Sequence, residues 1–110
     1  MTLTDKIRTV AVKDGWVSPL NLPHLADKDG HRQTAFSDMK YLTSMDWLHP
    51  IAMRVVDELM NFPSSESGFI IYEIRLDCSK KPNEQGQYLD LFNSVYDGVV
   101  LLEKIKTEQP

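Results

Sequence analysis

The sequence predicts a small α+β domain, with a short, mainly antiparallel sheet packed on two or three amphipathic helices. Three observations carry that expectation. Residues 44–61 and 87–107 repeat their apolar positions at three- and four-residue steps, as helices with one buried face do. Between them, Phe69-Ile-Ile-Tyr-Glu-Ile-Arg-Leu76 gathers aromatic and β-branched residues, as a strand does. At 110 residues the chain is the size of one domain, so residues 1–110 are read as a single unit. Such a chain buries roughly two thirds of its unfolded surface, enough for a core without metal or disulfide staples.

In chain order, residues 3–13 place Leu3, Ile7, Val10 and Ala11 at helical spacing after a cap at Thr2 or Thr4, and Gly15 ends the helix. Val10 and Val12 also suit a strand. Trp16-Val17 reads as a short strand, and Pro19 and Pro23 then mark loop. Asp27-Lys28-Asp29-Gly30 is a turn signal, with Leu20–Leu25 and His31–Phe36 as the arms of a hairpin. Lys40-Tyr41-Leu42 looks extended. Thr43 and Ser44 are N-cap candidates for the 44–61 helix, whose apolar face runs from Trp47 and Leu48 to Leu59 and Met60. Pro50 implies a bent first turn or a helix that properly begins near His49. Pro63 stops that helix, and Ser64–Gly68 reads as an exposed turn. In the strand over 69–76, Ile70, Tyr72, Ile74 and Leu76 make one apolar face. Ser79–Gln85 is a polar loop. The last helix carries Gly98 in its interior, either for close approach to a neighbour or simply tolerated, at a cost of about 1 kcal/mol against alanine.

The totals exclude several classes. Hydrophobic residues at 42% and charged residues at 25% match globular averages, which argues against global disorder. The net charge is −4 and the bases are scattered, with Lys80-Lys81 the one compact pair. Nucleic-acid binders usually show a basic patch, so nucleic acid is not the expected partner. The single cysteine, Cys78, cannot form an internal disulfide. The opening residues lack the apolar run of a signal peptide, and no stretch approaches the ~20 apolar residues of a membrane span. A cytoplasmic location, with no membrane association, is the expectation by elimination.

Candidate chemistry is sparse. His24 and His31 flank Asp27 and Asp29, residue types that can hold a metal, but their spacing matches no zinc pattern. A calcium loop would put Leu25 and Phe36 where carboxylates are needed. His49 lies close to Asp46, a conceivable acid–base pair. His24, His31, Asp46 and His49 therefore form the candidate surface, which would become a site if the N-terminal loop folds over the start of the 44–61 helix. Cys78 beside Lys80 and Lys81 has cationic neighbours that can activate a thiol, but no histidine near in sequence to serve as its base. A packed small residue is the plainer reading. No phosphate loop, Gly-x-Ser-x-Gly elbow, His-Glu-x-x-His or Cys-x-x-Cys occurs. No catalytic residue, metal site or cofactor is expected.

The segment Lys40-Tyr-Leu-Thr-Ser-Met-Asp-Trp-Leu-His-Pro-Ile-Ala-Met-Arg-Val-Val-Asp-Glu-Leu59 resembles a stretch of small phage and prophage proteins of Bacteroides-type bacteria, which carry a Thr-Ser-x-Asp-Trp-Leu-x-Pro motif. The closing Val95-Tyr-Asp-Gly-Val-Val100 is similar to their last helix. The likeness covers residues 40–105, with Met45 standing where tryptophan is expected and His49 where methionine is. It implies an α/β-sandwich-type fold and a phage or mobile-element context, and no activity.

The leading expectation is a non-enzymatic accessory protein of such an element, working through contacts with a protein partner or with a second copy of itself. Phe36, Met39 and Phe62 are apolar outside the helix phases and would either mark that surface or cover the ends of the core. A small enzyme or ligand-binding domain with its site near residues 44–50 is the alternative, and a nucleic-acid-binding regulator the third.

Overall fold

A computed structural model describes residues 2–19, 21 and 23–108. Helix α1 spans Leu3–Lys13, strands β1 and β2 are Leu25–Ala26 and Thr34–Ala35, and a 3-10 turn covers Phe36–Asp38. Helices α2 (Met45–Leu59), α3 (Ser65–Asp77) and α4 (Leu89–Glu108) complete the order. The α+β expectation holds in its coarse form, but the fold is mostly helical. The sheet is a two-residue antiparallel ladder, Leu25 against Ala35 and Ala26 against Thr34, and is not a layer. Helix α4 is the centre of the packing and touches α1, α2 and α3. Its Leu91, Phe92, Val95, Val99 and Leu102 are buried.

The ends of α1 follow the sequence closely. Thr2 accepts from the Asp5 N–H, and the Asp5 carboxylate accepts from the Thr2 N–H, a reciprocal cap. That bonding, from the Thr2 hydroxyl above all, holds the Asp5 carboxyl below its ordinary range. At the far end Gly15 takes φ 103°, and its N–H and that of Trp16 bond the Val12 and Ala11 carbonyls. This closure turns the chain sharply and drops Trp16 into the core.

The 16–42 region holds the expected turn and less of the expected strand. Val17 exchanges both backbone bonds with Asp27, each 2.8 Å, as a single bridge. The hairpin pairs only Leu25–Ala26 with Thr34–Ala35, and Leu20 and Leu22 of the proposed first arm lie outside the described residues. Lys40–Leu42 is not extended: residues 41–43 form a turn with Tyr41 and Leu42 buried, which the Tyr88 N–H ties to the start of α4 through the Leu42 carbonyl at 2.7 Å.

Helix α2 begins at Met45 and runs through Pro50, not from His49. Ser44 is its cap residue in backbone conformation, but neither the Ser44 side chain nor Thr43 supplies the capping bond expected of them. Pro50 has no N–H to return to the Asp46 carbonyl, and both residues are exposed, so the position is solvated.

The 69–76 strand is overturned: the segment is helical. Ser64 accepts from the Ser67 N–H at 3.1 Å and caps α3, Glu66 sits in the first turn and Arg75 in the last, as the helix dipole favours. Ser67, Ile70, Ile71, Ile74 and Asp77 fall at helical steps on the core side, and burial against α4 and α2 overrides their β propensity.

Gly98 is where α4 meets α2. A Cβ there would stand 2.5 Å from Val55 Cγ1 and 3.5 Å from Leu59 Cδ1. Close approach is therefore the reason for the glycine. Gly98→Ala should lower stability by about 1–2 kcal/mol, because overpacking outweighs the gain in helix propensity. Gly68 in α3 has nothing within 4 Å of an added Cβ, and Gly68→Ala should raise stability by about 0.5–1 kcal/mol. Thermal melts of both variants test the opposite signs, and two shifts in the same direction would contradict this packing.

Candidate functional site

The strongest cluster of polar and aromatic groups lies where the end of α1, the loop that follows it, the turn at 41–43 and the first half of α2 meet. Asp14 caps α1, and its side chain is only 9% exposed. Tyr41 Oη donates to Asp14 Oδ2 at 2.5 Å and accepts from Trp16 Nε1 at 2.9 Å. Lys28 Nζ lies 3.1 Å from the same oxygen, and an Arg54 guanidinium nitrogen lies 3.4 Å from Oδ1. One buried carboxylate thus holds a phenol and two cations. Burial, and then the hydrogen bond to Asp14, push the Tyr41 phenol far above its ordinary pKa.

Rings close over this network. Trp16 and Trp47 lie nearly parallel, 17° apart with centroids at 5.8 Å, and Tyr41 meets Trp47 edge-on at 5.3 Å. The His31 ring sits 5.2 Å from Trp16 and 5.5 Å from Trp47. It reaches them because the Lys28–His31 turn closes with the His31 N–H on the Lys28 carbonyl. Between these groups is an open cleft of about 250 Å³, floored by Asp14 and Trp16 and walled by Lys28, His31, Trp47 and Arg54. Asp46 and Pro50 line its other edge.

The four sequence candidates divide. His31 and Asp46 share this cleft, while His24 and His49 are exposed and line no part of it. His49 follows Asp46 by about one turn of α2 but does not share the cleft with it. Among the described residues no group of three or more His, Cys, Asp or Glu side chains stands close enough to hold a metal ion. Cys78 is half-buried at the end of α3. Burial, then the Asp77 carboxylate, push its thiol up, opposite to the activation that Lys80 and Lys81 suggested. Lys80 is instead taken up by Asp77 at 3.0 Å and Asp90 at 3.4 Å. Phe36 and Met39 are buried in the core, and the half-buried Phe62 packs against it.

Asp14, Lys28, Tyr41 and Arg54 escaped sequence reasoning. One local signal existed: an acid at the C-terminal end of a helix opposes the helix dipole, and such a conflict points to cations supplied from elsewhere. The exposed face of α3 also escaped it. Phe69, Tyr72 and Leu76 project at 63%, 62% and 44% exposure along one stripe of that helix. Comparison with protein-family models, curated proteins and solved structures finds no match to this chain.

Asp14→Ala strands the Tyr41 hydroxyl and leaves Lys28 and Arg54 without their anion. The cations reach water, so the loss should be about 2–3 kcal/mol, below the figure for a fully buried pair. Arg54→Gln should cost under about 1 kcal/mol, because its side chain is 49% exposed. Chemical denaturation of the two variants checks this ranking, and equal losses would contradict it. The Tyr41 phenol titrates higher in the folded than in the unfolded chain, where it titrates near 10. The stability it contributes is thus fully present below about pH 10, and above it the unfolded state loses the proton first and stability falls. Tyr41→Phe should flatten that alkaline decline, and an unchanged slope in melts between pH 9 and 11 would place the phenol outside the network.

Proposed function

We propose that this chain is a non-catalytic accessory protein of a phage or other mobile element, acting in the cytoplasm through protein–protein contacts, with α3 supplying the contact face. The observation that carries the reading is the stripe of Phe69, Tyr72 and Leu76. Single exposed apolar side chains are ordinary, whereas a ring, a second ring and a leucine at successive turns of one helix form the pattern that helix-mediated docking uses. Aromatic anchors of this kind dominate binding energy where they are buried by a partner. The opposite side of the same helix is committed to the core through Ile74, with Ile70 and Ile71 beside it, so the outer stripe is surplus to folding. The mobile-element context rests on the likeness of residues 40–105 to phage proteins. Among the described residues no helix is long and apolar enough to cross a membrane, which is compatible with a partner met in solution.

The test is sedimentation of the pure chain over a wide concentration range, then of its mixtures with proteins encoded beside it. A complex, with itself or with one such protein, should form and should be lost in the Phe69→Glu, Tyr72→Glu double variant. The variant's melting temperature should stay close to that of the parent, since exposed substitutions usually fall within about 0.5 kcal/mol. A complex that the double variant still makes removes α3 from the reading. Turnover of a substrate by the pure protein, abolished by a point change in the cleft, overturns its non-catalytic part.

A further inference from the structure

The cleft over Asp14 is independent of the α3 face, and its chemistry is more specific than core packing requires. We infer that it binds a small flat ring bearing one anionic group, with the ring against Trp47 and His31 and the anion on Lys28 and Arg54.

Three features point there. First, the cations are in place but not used up. At the inner end of the cleft Lys28 and Arg54 both pair with the one carboxylate of Asp14, and the cleft's other acid, Asp46, lies about two helical turns before Arg54 on α2. An ammonium has three N–H donors and a guanidinium five, and each spends one contact on Asp14. The remaining guanidinium donors suit the two-oxygen geometry of a carboxylate or phosphate. Second, the carboxylate is buried and itself fixed by Tyr41. It holds the cations where an incoming anion would find them, which lowers the ordering cost of binding. Third, aromatic surface stands beside those cations. His31 is exposed and Trp47 half-buried, so both offer ring surface to a planar guest. Trp16 and Trp47 are too close to each other to admit a ring between them, which leaves the outer surfaces as the platform.

Asp46 sets the length of the guest. It stands eight residues before Arg54 on the same edge of α2, about 12 Å away along the helix axis. A carboxylate there can only accept, so it favours a hydrogen-bond donor, such as an amino group, at the end of the ring remote from the anion. An aromatic carboxylate and a nucleoside monophosphate share this chemistry and differ in the size of the ring and the identity of the anion.

The two indole N–H resonances make a direct reporter, because Trp16 and Trp47 are the only tryptophans in the chain. Each probe is titrated into the labelled full-length protein to about 5 mM, a range that reads millimolar affinity. The probes are 4-aminobenzoate, adenosine 5′-monophosphate, adenosine and inorganic phosphate. At least one of the two ring anions should move the Trp47 resonance saturably, and adenosine and phosphate alone should need at least tenfold higher concentration. Saturation by 4-aminobenzoate alone identifies a carboxylate guest, and saturation by the nucleotide alone a phosphate guest. Arg54→Gln should weaken binding tenfold or more with the fold intact, and Lys28→Gln serves as the second variant. No saturable movement with either ring anion, equal movement with phosphate alone, or affinity unchanged in both variants overturns the assignment.

Discussion

The N-terminal half of this protein depends on one buried carboxylate. Asp14 belongs to the end of α1, Lys28 to the loop turn, Tyr41 to the segment before α2, and Arg54 to α2 itself. Four stretches with little regular structure between them converge on one side chain. The strands there are too short to organise the region: the ladder has two residue pairs, and the Val17–Asp27 bridge adds one more. A buried charge without partners is costly, so the arrangement that supplies all three at once is strongly selected over arrangements that supply fewer. The Trp16–Tyr41 bond then couples this polar knot to the aromatic cluster, and through it to the core. Asp14 and Lys13 also join α1 to α2 by ion pairs, Lys13 with Glu58 at 2.8 Å and Asp14 with Arg54.

The C-terminal half is organised by a different constraint, close packing around α4. Gly98 lets α2 come within contact of the α4 backbone, and Ile70 of α3 approaches the same position. Three helices thus share one point, which fixes the depth at which α3 docks. Once Ile70, Ile71 and Ile74 face inward, Phe69, Tyr72 and Leu76 have nowhere to go but outward. Their exposure follows from the packing of the inner face.

What was legible in the sequence tracks how much of each element is local. The 3–13, 44–61 and 87–107 helices were readable because one face of each is apolar and the other polar, and the end of α1 because Gly15 has a single role there. The 69–76 segment was not, because α3 carries apolar residues on both of its faces. Period 3.6 disappears from such a helix, and a run of β-branched and aromatic residues then reads as a strand. The misreading and the exposed stripe have the same cause. Of the candidate site, Asp46 was legible as an acid at the start of α2, and His31 as a loop residue that reaches it if the loop folds over that start. Their real neighbours were not, since Asp14, Lys28, Tyr41 and Arg54 are brought together only by tertiary closure and share no spacing pattern.

Helix α2 links the two halves because its edges do different work. Leu48, Ile51, Ala52, Val55 and Leu59 belong to the shared core, and Val55 and Leu59 meet α4 at Gly98. Asp46, Trp47, Pro50 and Arg54 lie along another edge and line the cleft. A helix wedged against α4 on one side cannot easily rotate or slide, so the residues on its other edge are held in register with Asp14 and Lys28. The close approach at Gly98 therefore matters to the cleft although no atom of α4 lines it. By this logic the rigidity of the candidate site is set by packing on the far side of α2, and the polar knot at Asp14 supplies its direction and charge.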